Sequence, residues 1–413
     1  MLHFRCNTKW ELIIPADASW ITADPMSGDA GKDEFVTFTV KLSAAPLEGP
    51  SRSATLKLQY SDKSKDITVS QSNLPQSSQF EIPDGMLFST TLGRNTTNVC
   101  QGFDYDPDED IIYITQKYGT YQNHIGWQKR ETKNGTTVAP NYMTLRCFSH
   151  GNNIAIEKTA SGAKFVWAPN YADRQDDGSY DKPKIISRFP LATGKTIYNT
   201  ETTENYYFGM NVTWPAFDFK NDMVAVTDYK TFYVYKLSEI MALPEETITL
   251  DFKITYGGHK PETPVETNKD EWSGYPVVKA RDCRKAKVLY TVPFDYSKRG
   301  LHWQSYCIDN GWIYAILQGD GGSAPNIIHD SYVEAYKMDG SKNIYKIRQE
   351  YMQNRDRILE FDWNERDYFY CEPEGIKVFD GQMLLLYCMK GNTDAHKTRR
   401  PVIFRLAAPT AAL

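Results

Sequence analysis

A chain of 413 residues, 41% hydrophobic and 24% charged, is globular in composition and too long for one ordinary core, so two domains, one of them large, are expected. The net charge of −5 argues against the basic face of a nucleic-acid binder, and no apolar run approaches the roughly 20 residues of a membrane-spanning helix. Aromatic residues make up 13%, with 27 tyrosines and 9 tryptophans, an excess that serves β-sheet packing and also offers flat faces on which sugar rings stack.

The seven cysteines, Cys6, Cys100, Cys147, Cys283, Cys307, Cys371 and Cys388, show no CxxC and no metal-ligand spacing. Buried thiols are expected, with a Cys371–Cys388 bridge across a hairpin as the alternative. The opening "MLHFRCNTKW" has no apolar signal-peptide core, but Met1 falls inside a strand, so a leader or lipid anchor is expected upstream.

From Trp10 to Gln71 short alternating strands are separated by turn residues: "KWELIIPADASWITADPMSG", "EFVTFTVKLSAA" and the hairpin "RSATLKLQYSDKSKDITVSQS". Period two with β-branched residues predicts a small antiparallel sandwich over residues 1–73, its first strand shortened. Trp10, Trp20-Ile21, Ser27-Gly28, Arg52-Ser53-Ala54-Thr55 and Ile67-Thr68-Val69-Ser70-Gln71 together resemble a BACON domain, an immunoglobulin-like module common in Bacteroidetes proteins and their phages. The resemblance implies an immunoglobulin-type fold and a carbohydrate-binding role, but it names no binding residues. Trp10 and Trp20 are read as core. Residues 74–85, within "SNLPQSSQFEIPDG", read as a polar linker.

The large domain, 86–408, repeats a pattern. "VCQGFDYDPDEDIIYITQ" (99–116) and "HWQSYCIDNGWIYAILQ" (302–318) share a Gln, an aromatic, an Asp-containing turn, Ile-Tyr and a closing Gln. "TWPAFDFKNDMVAVTD" (213–228) and "EPEGIKVFDGQMLLLYC" (372–388) keep the frame, and "RCFSHGNNIAIEKTASGAKFVW" (146–167) follows it loosely. "TFYVYKL", "SYVEAYKM", "PVIFRLA" and "KIISRFPL" read as third strands. Five copies predict an all-β domain, a five-bladed β-propeller beside the immunoglobulin-like sandwich, with an open multi-sheet protein as the alternative. The arrangement, carried by Cys100-Gln101-Gly102-Phe103, His302-Trp303-Gln304 and Glu372-Pro373-Glu374-Gly375-Ile376, resembles the five-bladed propellers of helveticin J-like bacteriocins, teichoic-acid-locus proteins and phage receptor-binding proteins. This implies recognition of cell-surface polysaccharide.

If the blades converge, Gln101, His150, Trp214, His302, Gln304, Glu372 and Glu374 surround one mouth of the channel. Carboxylates, amides, imidazoles and an indole suit sugar hydroxyls and ring faces, but the same groups can tie blades together through backbone hydrogen bonds. A glycosidase or lyase using His302 with Glu372 or Glu374 is a second reading, and a structural assembly subunit a third. Asp104, Asp106 and Asp108 in "DYDPDEDI" could chelate calcium, though the loop lacks an EF-hand's Gly and closing Glu and reads as a solvated turn; no other cofactor is expected. The expected partner is a polysaccharide or cell-surface glycan, met on a Bacteroidetes surface or a phage tail.

Overall fold

In the computed structural model of the protein, the described residues are 2–4, 8–29, 36–42, 52–71, 99–118, 122–129, 141–174, 180–257, 271–294, 301–319, 331–341, 343–348, 368–379, 381–391 and 400–408. The chain divides into two compact units, Met1–Gln76 and Ser77–Leu413. The linker predicted at 74–85 lies outside the described residues. The fold is all-β; among the described residues the α-helix is α1 (Leu237–Met241), and no helix is long and apolar enough to cross a membrane.

The first unit contains β1 (Leu2–Phe4), β2 (Trp10–Ile13), β3 (Ile21–Asp24), β4 (Ser27–Gly28), β5 (Val36–Leu42), β6 (Arg52–Tyr60) and β7 (Lys63–Gln71). They pair as two antiparallel sheets, ordered β1-β5-β3 and β4-β2-β6-β7. Period two sorts the side chains: β2 buries Trp10 and Leu12 and turns Glu11 and Ile13 outward. Trp10 and Leu12 meet Leu56 and Leu58 of β6 and Ile21 of β3, so a single core joins the two sheets into a sandwich. Trp10 is 2% exposed, and a Cβ on Gly28 would stand 2.7 Å from its indole Nε1. Trp20 packs half-buried on the flank of this core.

In the second unit, five sheets of three or more strands, mostly antiparallel, follow one another among the described residues. The first is the meander β8 (Cys100–Asp106), β9 (Ile111–Tyr118), β10 (Gln122–Lys129) and β11 (Asn141–Arg146), and the second begins with β12 (Ala155–Lys158) and β13 (Lys164–Asn170). The short pair β14 (Asp173–Arg174) and β15 (Tyr180–Asp181) interrupts the second before β16 (Ile185–Pro190), while β17 (Thr196–Tyr198) returns parallel to β11. The second sheet resumes with β18 (Glu204–Tyr207) and, beyond it, takes in β22 (Glu245–Thr249) and β25 (Val277–Asp282). The third is β19 (Trp214–Asp218), β20 (Met223–Thr227), β21 (Thr231–Lys236) and β26 (Tyr290–Pro293), and β23 (Ile254–Gly257) pairs separately with β24 (Glu271–Gly274). The fourth is β27 (Leu301–Asp309), β28 (Trp312–Gly319), β29 (Ser331–Lys337) and β30 (Asn343–Arg348); the fifth is β31 (Tyr368–Phe379), β32 (Gln382–Gly391) and β33 (Arg400–Ala407). The four segments predicted as third strands are β16, β21, β29 and β33, each third in its sheet.

First or second strands of successive sheets touch: β8 with β12, β13 with β19, β19 with β27, β27 with β31, and β31 back to β8. Chain order is therefore spatial order around a closed ring, the arrangement of a β-propeller. Apolar cores fill the spaces between sheets. Phe103, Ile112 and Ile114 of the first meet Leu384, Leu386 and Ile403 of the fifth, and Trp214, Phe232 and Val234 of the third meet Tyr306, Ile313 and Leu317 of the fourth. Because both faces are covered, β28 is buried at every position, which accounts for the continuous apolar run "WIYAIL" where a half-exposed strand would alternate. Its hairpin with β27 turns at Asn310-Gly311, both with positive φ (46° and 78°), the conformation a two-residue hairpin turn needs.

Cys100, Cys147, Cys283, Cys307 and Cys388 are buried. Cys388 stands opposite Glu372 in the β31–β32 ladder, and the Cys371 side chain of the alternative bridge lies outside the described residues.

Candidate functional site

Three leading strands carry a β-bulge at the same point of the repeat. The ladder skips from Cys100 to Gly102 in β8, from Trp303 to Ser305 in β27, and from Pro373 to Gly375 in β31. The residues left out of register are Gln101, Gln304 and Glu374. A bulge inserts one residue against the partner strand and re-aims side chains, and all three of these line one depression of about 350 Å³. Each is followed by a small residue, Gly102, Ser305 or Gly375, and at the two glycines a side chain would be crowded. A Cβ on Gly102 would stand 3.0 Å from Gly151 O, and one on Gly375 would stand 2.8 Å from the Phe103 ring.

A second contribution comes from the segment between β11 and β12, residues 147–154. Thr115 Oγ1 stands 2.6 Å from Gly151 O and 3.1 Å from Gly102 O, and Asn123 Nδ2 donates to Ser149 O at 2.5 Å, so the first sheet grips one side of the segment. On the other side Asn152 Nδ2 donates to Gln304 O (3.2 Å), and Asn153 Nδ2 donates to Tyr306 O (2.8 Å). These bonds satisfy carbonyls of β27, which stands at the edge of its sheet among the described residues. The first and fourth sheets are not neighbours in the ring, so the segment runs across its centre and presents His150 and Asn152 to the depression.

Aromatic rings form the remaining wall. Trp214 begins β19, and the Tyr306 hydroxyl lies 2.7 Å from Trp214 O and 2.8 Å from Ala225 O, clamping β19 and β20 against β27. Burial pushes the Tyr306 hydroxyl pKa well up, which keeps it a neutral donor. Tyr229 occupies a turn at φ 73°, unusual for a bulky residue, with its N–H held by Thr227 Oγ1 at 3.1 Å. It stacks edge-on against Trp303 (5.8 Å) and lies 6.3 Å from the Trp214 ring. Trp303 in turn packs on Phe294 and Tyr306, each at 5.4 Å.

Of the seven residues predicted for the channel mouth, the structure brings Gln101, His150, Trp214, Gln304, Glu372 and Glu374 to this depression. Gln101, Trp214 and Glu374 are at most 5% exposed. His302 is exposed and does not line it, a departure from the predicted ring. Strict alternation would place His302 with Gln304, but the bulge puts the consecutive pair Trp303 and Gln304 on the depression side. Gln304 Nε2 donates to Gln318 Oε1, the closing Gln of the repeat, which accounts for that element of the pattern.

Sequence reasoning missed Val99, Asn152, Asp181, Tyr229 and Trp303. Asn152 and Trp303 adjoin or nearly adjoin predicted residues. Asp181 arrives on β15, whose partner Asp173 is held by the buried Lys184 ammonium at 3.0 Å. Burial draws the Lys184 pKa down, while the Asp173 charge opposes the shift.

Two of the three aspartates weighed for calcium, Asp104 and Asp106, stand beside lysines. Asp104 Oδ1 lies 2.7 Å from Lys377 Nζ, and Asp104 Oδ2 accepts from Ile156 N at 2.6 Å. Burial works against the Lys377 charge, but the charge and hydrogen bond of Asp104 outweigh it, so the ammonium pKa stands above its ordinary value. Asp106 lies 3.6 Å from Lys164 Nζ, and Asp108 N donates to Asp106 Oδ1 at 3.0 Å. Among the described residues no group of three or more His, Cys, Asp or Glu side chains is arranged to hold a metal ion.

No curated protein matches the chain. Solved structures of similar fold include a GH43 glycoside hydrolase with engineered endo-xylanase and exo-arabinofuranosidase activity (11% identity, 71% of this chain and 47% of that one, TM-score 0.27). Others are a "putative 6-phosphogluconolactonase" from Bacteroides uniformis (8%, 86% and 92%, 0.30) and the β-propeller domain of the trilobed protease from Pyrococcus furiosus (10%, 74% and 93%, 0.27). The chain spans about half the length of the GH43 enzyme. The propeller assignment rests on the closed order of sheets described above, since these scores are too low to add to it. Residues 8–72 match the family described as "BACON: Putative binding domain, N-terminal", and this part of the chain is a BACON domain.

Proposed function

We propose that the second unit is a five-bladed propeller that binds carbohydrate in the depression without cleaving it, and that the BACON domain is a spacer or docking module. The observation that carries this reading is the composition of one depression: the aromatic rings Trp214, Tyr229 and Trp303 beside the amides of Gln101, Asn152 and Gln304 and the carboxylates of Glu372 and Glu374. Aromatic faces stack on the C–H faces of pyranose rings, while amides and carboxylates exchange hydrogen bonds with hydroxyls. The resemblance to helveticin J-like and phage receptor-binding propellers supports a polysaccharide of a cell surface as the ligand, met on a Bacteroidetes surface or from a phage tail.

A hydrolase or lyase is the second reading, favoured by the same two glutamates together with Asp181 on one depression, because glycosidases work with paired carboxylates. His302, exposed and off the depression, is not part of it. A glycan array on the full chain, followed by product analysis of every hit, separates the readings. Binding without cleavage, lost in Gln304→Ala and Glu374→Ala but kept after deletion of residues 1–72, is expected. Release of reducing ends that disappears in Glu374→Gln would replace binding with catalysis. Stable oligomers with no glycan bound would favour an assembly subunit.

A further inference from the structure

We propose that the depression selects a sugar bearing a free, protonated amine over neutral, N-acetylated or acidic sugars; this rests on the carbohydrate reading above and narrows it. Asp181, Glu372 and Glu374 line the space, and no Lys or Arg is among its described lining residues. Glu374 is 2% exposed, so an anionic ligand would bring like charge against a carboxylate with little water to screen it. A cation reverses the sign of that interaction. An ammonium group offers three N–H donors to carboxylates, which have only acceptors. The rings of Trp214, Tyr229 and Trp303 add negative faces suited to a desolvated cation.

A second, independent observation calls for more than a bare cation. Trp214 lines the depression at 2% exposure, and its buried indole N–H has no acceptor among the described residues. A buried donor left unmatched is costly, and an ammonium ion cannot satisfy it. A hydroxyl or ring oxygen can. An amino sugar carries both complements: an amine for the carboxylates and oxygen acceptors for the indole.

The test is calorimetric titration of the full chain at about pH 6, where an aliphatic amine is protonated, with the trimers of glucosamine, N-acetylglucosamine, glucose and galacturonic acid. Glucosamine trimer is expected to bind at least about tenfold more tightly than the others, a gap of one charge-assisted contact. Glu372→Gln and Asp181→Asn, at half-buried positions that a neutral amide can fill, are expected each to remove several-fold of that preference while leaving the melting temperature near wild type. Trp214→Phe, which loses only the N–H, is expected to weaken glucosamine trimer but not a simple alkylammonium ion. Equal or better binding of the acetylated, neutral or acidic trimer overturns amine selection and leaves the carbohydrate reading standing. Silence towards all four trimers and across a glycan array overturns both.

Discussion

Single residues decide whether the depression exists. The bulges at Gln101, Gln304 and Glu374 work because the next residue is small, and Gly375 has the least room, with the Phe103 ring where its Cβ would be. Gly375→Ala is expected to cost about 1–3 kcal/mol by overpacking and to weaken ligand binding by shifting Glu374, read by urea denaturation and by titration. These three positions were legible in the sequence as "QG", "QS" and "EG" recurring in one frame, since a bulge that recurs leaves its mark in the repeat. His302 shared the frame but not the outcome, because alternation, which flagged it, is what a bulge interrupts. Tyr229 and Asp181 left no such mark: one sits in a turn, and the other reaches the depression through space on a two-strand insertion between β13 and β16.

At the scale of elements, the seam between the first two sheets carries a charge cluster. Glu109, in the β8–β9 turn, receives Lys158 and Lys164 at 2.8 Å each, from the ends of β12 and β13. The Lys158 hydrogen bond, then that of Lys164, lowers the Glu109 pKa from 4.5 to about 2. A carboxylate more acidic in the folded than the unfolded chain contributes stability above its unfolded pKa and loses it as pH falls through the folded one. Acid titration should therefore weaken this seam progressively between about pH 4.5 and 2, and Glu109→Gln should flatten that part of the stability profile. The group is solvated, so a small effect that salt reduces is expected. The elements themselves were readable, since the third strands and the β27–β28 hairpin fall where periodicity put them. The six-strand extension of the second sheet was not, because β22 and β25 join it across long insertions that no local pattern announces.

Across the whole second unit, ring closure depends on where its ends meet. Asp104 of the first sheet pairs with Lys377 of the fifth and also accepts from the backbone of β12, so one carboxylate touches three sheets. Asp104→Ala is expected to cost about 3–5 kcal/mol, since it strands a largely buried ammonium. Asp104→Leu combined with Lys377→Met should cost less than the sum of the single changes, measured as a double-mutant cycle by chemical denaturation. The repeat in the sequence implied a ring but not its fastening: Asp104 and Lys377 each stand three residues after the bulge, at Gln101 and Glu374, the matching residue of β27 is Cys307, and nothing within one copy names its partner in another. The segment 147–154, strung from the first sheet to the fourth, gives this ring a floor. A segment so placed would stand in the path of a polymer threading the ring. On the carbohydrate reading the protein senses chain termini or single branches, so its occupancy would track how many ends a surface displays and be indifferent to how long each strand of glycan is.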